Sequence, residues 1–327
     1  MTSMNNTKYV QFIEEQQPSE KWLSFYKSSI EGYKKWFLKE GEFNRPNYQA
    51  CHNAIKEYMP EFESIWMSLI ELTDADDLES RLLSFYCPAP YVSGCSQAVW
   101  AKYNPVLVRN YDYDLALSEM RVVKSKWFDT EVIASTDCLW GVLDGMNEHG
   151  LSVSLAFGGA SDRGEGFGIP IILRYILEFC KTTSEAVAVL QKVPTHMAYN
   201  VTLFDANYTV NTVEINPGQM TRVSHIPLAV NHQGDFELSN YAIFSKSYER
   251  KKFLIDKLYD PLINIENFID SFEYAPLFTD NYQEGFGTIY TSIYNPTLKA
   301  TEFRWPYGVR RYKSFVNFEE EAFWVNY

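Results

Sequence analysis

The sequence predicts an α+β protein, an antiparallel two-sheet core with helices on its outer faces, preceded by a helical N-terminal segment. Three observations lead there. Residues 20–86 repeat apolar side chains at helical spacing. From Cys95 onward the chain breaks into short runs rich in Val, Leu and aromatics, separated by turn residues. No regular strand–helix–strand alternation follows, which argues against a doubly wound parallel sheet, while the strand runs exclude an all-α fold.

In chain order, EKWLSFYKSSIEGYKKWFLKEG (20–41) sets Trp22, Leu23, Tyr26, Ile30, Tyr33 and Phe37 at near-helical spacing, with lysines and glutamates between them. Residues 47–86 continue the period, and Pro60 interrupts or restarts a helix. The breaker cluster CPAPYVSG (87–94) ends the region. CSQAVWA, PVLVRNYDY, MRVVKS, TEVIAS, LWGVLDGMNEHG and LSVSLAFGG read as strands, with a hairpin turn at MNEHG. IPIILRYILEFCK (169–181) and TSEAVAVLQKV (183–193) read as helices, the second opening on a Thr/Ser cap. Strands return in MAYNVTLFDANYTVNTVEI, turning at DANY, and run on to HIPLAVNH. Residues 239–260 read as one long amphipathic helix, and GTIYTSIYNPTLKATEFRWP as a closing hairpin that turns at NPT.

The chain has 327 residues, 46% of them hydrophobic, enough to bury a full core. Its 23 Tyr, 22 Phe and 8 Trp exceed ordinary use and can line a pocket for an apolar ligand as well as fill a core. A net charge of -13 argues against nucleic acid or anionic membrane as partner, since both need basic surface. Cysteines 51, 87, 95, 138 and 180 show no CxxC and no paired spacing, which points to free thiols in a reducing, cytoplasmic compartment. No secretory signal pattern and no membrane-length apolar run is visible. The histidines lack metal-ligand spacing, and GGASDRGEGFG (158–168) lacks the Lys-Ser/Thr of a phosphate loop, so no metal or organic cofactor is expected. Asp144 and Glu148, flanking GMN, read as turn residues.

The stretch VSGCSQAVWAKYNPVLVRNYDYD (92–114) carries the chemistry. If two antiparallel strands turn near KYN, Arg109 returns beside Cys95, and a guanidinium there favours thiolate, the nucleophilic form. Asp112 is then near enough to hold an amine or the arginine.

Gly94-Cys95, then the Arg109-Asn-x-Asp112 motif, then GMNEHGLSVSL, VNH and an arginine in the helix after it occur in an order that resembles one group of N-terminal-nucleophile hydrolases. That group joins the choloylglycine hydrolases to the isopenicillin N acyltransferases. The resemblance implies a four-layer αββα sandwich over residues 95–327. It also implies that residues 1–94 are a helical pro-segment, cut from the rest at Gly94-Cys95 and retained as a small subunit. Chemically, the Cys95 thiol attacks the Gly94 carbonyl, and hydrolysis frees an α-amine. With an ordinary pKa of about 7.7–8, that amine can serve as base to its own thiol.

By motif, the resemblance gives Arg109 and Asp112 the task of orienting and polarising the nucleophile. It gives Asn231 the role of oxyanion donor and Arg250 electrostatic support. Where the hydrolase branch has a further asparagine, this chain has Ala156, whose backbone N–H alone could contribute. The implied reaction is acyl transfer from a linear amide, through a Cys95 thioester, to water or an amine. The substrate would be a small-molecule acyl-amide of the N-acyl amine or N-acyl amino-acid type, with an acyl-CoA donor also compatible. Neither nucleic acid nor membrane is an expected partner, and a homo-oligomer is compatible with the sequence. Two other readings stay open: an uncleaved hydrolase using Cys95, and a silent binding protein on the same fold.

Overall fold

The computed structural model describes residues 7–234 and 240–327. Strand β1 (Thr7–Glu15) precedes helices α1 (Glu20–Phe37), α2 (Tyr48–Tyr58), α3 (Phe62–Thr73) and α4 (Asp77–Ser84). Next come β2 (Gly94–Trp100), β3 (Val106–Tyr113), β4 (Arg121–Ser125), β5 (Val132–Asp137), β6 (Gly141–Asn147) and β7 (Ser152–Phe157). Helices α5 (Ile169–Phe179) and α6 (Thr183–Lys192) lead to β8 (Tyr199–Phe204), β9 (Val210–Ile215), β10 (Arg222–Ser224) and β11 (Leu228–Ala229). Then follow α7 (Asn240–Phe244), α8 (Ser247–Tyr259) and α9 (Ile265–Asp270). The chain closes with β12 (Asp280–Asn281), β13 (Phe286–Asn295), β14 (Ala300–Trp305), β15 (Val309–Ser314) and β16 (Glu321–Asn326).

The strands form two sheets. One runs β10-β9-β8-β7-β6-β5-β4-β1-β16, the other β11-β2-β3-β13-β14-β15, with β12 paired to β13. Strand alternation shows how they stack. On β6, Asp144 reaches Tyr290 and Tyr294 of the second sheet, whereas a Cβ on Gly145 would point at Leu177 of α5. On β3, Tyr111 reaches Asp137 of the first sheet, whereas Val108 faces a separate apolar cluster with Leu254, Leu258 and Phe268 of α8 and α9. The order is therefore α5/α6, first sheet, second sheet, α8/α9. This is the αββα sandwich of an α+β protein.

Local signals account for most boundaries. Pro60 lies between α2 and α3, and α4 and α6 each open on a capping box, Asp76 with Glu79 and Thr182 with Glu185. Two expectations need correction. The N-terminal segment is not helical throughout: β1 pairs parallel with β4 and antiparallel with the edge strand β16, so it is an inner strand of the first sheet. Its TKYVQFIEE alternates with period two, burying Val10 and Phe12 and leaving Tyr9 exposed. The single helix expected over 239–260 is two helices, with Ser239 outside the described residues. Lys246 adopts φ 53°, and its N–H closes onto Ile243 O at 3.1 Å, ending α7 and re-aiming α8.

The N-terminal segment is stitched to the rest of the chain. Trp22 Nε1 donates to Leu139 O at 3.0 Å, Trp140 Nε1 donates to Leu83 O at 3.0 Å, and Tyr175 donates to Glu61 at 2.6 Å. Among the described residues no helix is long and apolar enough to cross a membrane.

Candidate active site

Strands β2 and β3 pair antiparallel, with Gly94 opposite Asp112, Cys95 opposite Tyr111 and Gln97 opposite Arg109. Cys95 and Arg109 therefore share the face that looks at the first sheet, and Arg109 Nη2 donates to Cys95 Sγ at 3.0 Å. The guanidinium is locked from several sides. Nε donates to Leu155 O at 3.0 Å, Nη1 pairs with Asp144, and the plane lies 4.9 Å over the Tyr111 ring. Asp144 in turn accepts from Tyr290 Oη at 2.7 Å and Tyr294 Oη at 2.6 Å. Cys95, Arg109, Tyr111 and Asp144 are all 0% exposed. Burial pushes the Cys95 thiol up and the adjacent Arg109 pulls it back only in part, so the thiol rests neutral while the chain is intact.

Arg109 and Asp112 do not pair with each other. Three positions apart on a strand, they face opposite sides. Asp112 looks at the outer helices, where it pairs with Arg250 and accepts from Thr288 Oγ1 at 2.7 Å. A bulge in β13 between Thr288 and Tyr290 makes this possible. It turns Thr288 to the Asp112 side and Tyr290 to the Asp144 side. Arg250 also donates to Pro276 O at 2.9 Å and to Ser96 Oγ at 3.4 Å. It belongs to the buried stripe Ser247, Arg250, Leu254, Leu258 of α8 rather than to a solvated face.

Asn231 grips the backbone on both sides of the Gly94-Cys95 bond. Its Oδ1 accepts from Cys95 N at 2.9 Å, and its Nδ2 donates to Ser93 O at 3.3 Å and Phe157 O at 3.2 Å. Gly94 is favoured by space: a Cβ there would lie 2.3 Å from the Phe286 ring, which would have to move, and 3.0 Å from the Asp112 Cβ. Its φ is not positive, so close approach rather than backbone strain explains the glycine.

Ala156 does not offer its N–H to this centre. Gly158 N–H donates to Ala198 O at 2.9 Å, and backbone alternation turns the Ala156 N–H to the same side, toward its partner Asn200 on β8. The carbonyls of Leu155 and Phe157 face the site instead.

Segment 87–94 leads into Cys95 and is held by both parts of the chain. Arg45 Nη1 donates to Cys87 O and Pro88 O at 3.1 Å each, Trp36 Nε1 to Pro90 O at 3.1 Å, and Tyr199 Oη to Tyr91 O at 2.6 Å.

Sequence reasoning missed Asp144, Tyr290 and Tyr294, which hold Arg109. The available signal was a carboxylate inside an otherwise apolar strand, GVLDGMN. Among the described residues no group of three or more His, Cys, Asp or Glu is placed to hold a metal ion.

Three structures with similar folds are the penicillin V acylase of Agrobacterium tumefaciens, a mutant conjugated bile acid hydrolase of Clostridium perfringens and the Caenorhabditis elegans ortholog of N-acylethanolamine-hydrolyzing acid amidase. Identities are 14%, 10% and 18%, each with a TM-score of 0.44. The matches cover 68%, 70% and 71% of this chain and 86%, 96% and 98% of theirs. A search of curated protein sequences finds no match. The family model described as acyl-coenzyme A:6-aminopenicillanic acid acyl-transferase matches residues 100–307, from the end of β2 to the turn after β14. The chain thus belongs to the acyl-coenzyme A:6-aminopenicillanic acid acyl-transferase family, enzymes of N-terminal-nucleophile type that make or break linear amide bonds.

Proposed function

We propose that this enzyme cleaves its own Gly94-Cys95 bond and then uses Cys95 as nucleophile toward an acyl-amide. One observation carries the reading. The Cys95 thiol, an arginine held at 3.0 Å from it and an asparagine holding its amide nitrogen meet at a bond whose preceding residue, Gly94, has no room for a Cβ unless the Phe286 ring moves. In the first stage the thiol attacks the Gly94 carbonyl. The C–N bond breaks as the C–S bond forms, and the thiol proton ends on the departing nitrogen. Water then hydrolyses the thioester, leaving a Gly94 carboxylate and a free Cys95 amine.

In the second stage that amine takes the thiol proton and the thiolate attacks the substrate carbonyl. The leaving amine takes the proton back, and water or a second amine resolves the acyl-thioester. Arg109 stabilises the sulfur anion. Asn231, released from Ser93 O by cleavage, turns its amide to the developing oxyanion. Asp112 and Arg250 position β2 and β3 from the far face.

Full burial of Cys95 in the uncut chain disfavours an uncleaved hydrolase, because a buried thiol is closed to substrate. The place of β1 inside the first sheet supports retention of residues 1–94 after cleavage. The five cysteines are buried and unpaired, which fits the cytoplasmic location proposed here.

The reading is tested by trapping the acyl-enzyme. Purified protein mixed with N-acyl amides and acyl thioesters is quenched in acid, and the mass of residues 95–327 is read. An acyl adduct on the Cys95 peptide, removed by hydroxylamine, is the expected result. Adduct-free protein with unreacted substrates across the panel would count against the proposal.

A further inference from the structure

A second feature lies between α1 and the body of the protein. A cleft of about 460 Å³ opens past Ser28, Gly32, Ala116 and Leu117 and narrows inward to Tyr91, Asp137 and Cys138. Its mouth is exposed, with Leu117 62% accessible, and its inner end is buried. The walls are aromatic: Phe25, Tyr33, Trp36, Tyr91 and Tyr113 all line it. Two carboxyl groups stand at the inner end.

The two carboxyls are differently placed. Asp137 is fully engaged, accepting from Tyr33 and Tyr111 at 3.0 Å, Tyr91 at 3.2 Å and Cys138 N at 2.7 Å. Glu119 Oε1 accepts from Tyr33 and from Leu139 N, but the buried Oε2 meets no hydrogen-bond partner. The nearby cation, Arg121, has its guanidinium 4.0 Å over the Phe25 ring and is shared electrostatically between Glu119 and Glu15, and it makes no hydrogen bond to Oε2. Burial, with Asp137 adjacent, pushes the Glu119 carboxyl up to about 8. A donor that carries positive charge, placed at Oε2, would favour the ionised carboxyl over the neutral form that burial imposes.

The cleft also leads toward the nucleophile. Tyr91 belongs to the segment that leads into Cys95, and its hydroxyl bonds Tyr111, the residue opposite Cys95, at 2.8 Å. Tyr113 stacks on Tyr111 and lies tilted against Tyr91, with ring centroids 5.5 Å away in each case. Cutting the Gly94-Cys95 bond would turn Tyr91 to Gly94 into a chain end, free to move from between cleft and thiol.

We propose that this cleft binds an ammonium group at the far end of the amide substrate, paired to Glu119 and Asp137 and enclosed by the tyrosines and Trp36. This names the substrate class for the Cys95 centre and rests on the catalytic reading above. The site itself exists in the uncut chain. Aromatic walls and a buried carboxyl are the usual recognition chemistry for such a cation.

The test separates the two claims. Phenethylammonium and its neutral isostere phenethyl alcohol are titrated calorimetrically into Cys95→Ala, which cannot turn over. The ammonium should bind at least about tenfold tighter. That preference should disappear in Glu119→Gln. It should also weaken in Leu117→Arg, an exposed change that puts a competing cation at the mouth and keeps the test open if Glu119→Gln fails to fold. Equal binding of the two probes, or a preference unchanged in these variants, overturns the site. Wild-type kcat/KM is then compared for amides ending in ammonium or methyl. Ammonium binding without turnover of either amide would sink the catalytic reading and leave the site standing. Turnover with no ammonium preference would sink the site alone.

Discussion

The two faces of β3 carry two buried ion pairs that differ in what surrounds them. On the inner face Arg109 pairs with Asp144 and its remaining N–H groups reach Cys95 Sγ, Leu155 O and Tyr290. On the outer face Arg250 pairs with Asp112, and the other partners are Thr288, Ser96 and Pro276 O, all scaffold. Both pairs cost desolvation. Only the inner one turns part of its charge onto a reactive atom. The inner pair is therefore expected to govern rate as well as stability, and the outer pair mainly stability.

The largest effect should follow from Arg109→Leu. It leaves Asp144 buried and unpaired, at a cost of about 3–5 kcal/mol, and removes the charge facing Cys95. Thermal unfolding and the cleaved fraction should both collapse. Arg109→Lys keeps a charge but loses the fork, and cleavage per folded molecule should fall by about 100-fold. A fully cleaved Arg109→Lys protein would erase the difference between the faces.

On the outer face, Asp112→Asn or Arg250→Met alone should also cost about 3–5 kcal/mol, and the double variant less than their sum. Unfolding midpoints of the three proteins check this. Cleavage by the double variant should survive, slowed at most about tenfold. Loss of cleavage in a folded double variant would move this pair into the chemistry.

Asn231→Ala removes one amide from the centre and should slow turnover by about 100-fold, with a smaller loss of stability, read by single-turnover kinetics. Burial of Glu119 gives the smallest effect. Its carboxyl is raised from 4.5 to about 8, so its neutral form stabilises the fold. That contribution is complete below about 4.5 and is lost as pH rises through about 8. Melting temperature should therefore decline across that window, and less steeply in Glu119→Gln.

The legible and illegible parts of the sequence follow the same geometry. Arg109 beside Cys95 could be read because a hairpin near KYN brings those positions together, as the β2–β3 register does. Their partners could not, since Asp144 sits on β6 in the other sheet and looked like a turn residue. The opposite orientation of Asp112 was within reach, because a spacing of three on a strand reverses the face. So was the burial of Arg250, which is in step with Leu254 and Leu258. The strand Thr7–Glu15 alternates cleanly, but its place between β4 and β16 is a long-range pairing that no local pattern encodes. Likewise, one left-handed residue, Lys246, divided a helix whose periodicity ran on unbroken.

The central claim is that Cys95 cuts the bond in front of it, and the intact mass of the purified chain under denaturing conditions tests it most directly. Wild type should give two masses, residues 1–94 and 95–327, while Cys95→Ala gives one full-length mass. A single full-length mass in both proteins, with each correctly folded, would contradict the account.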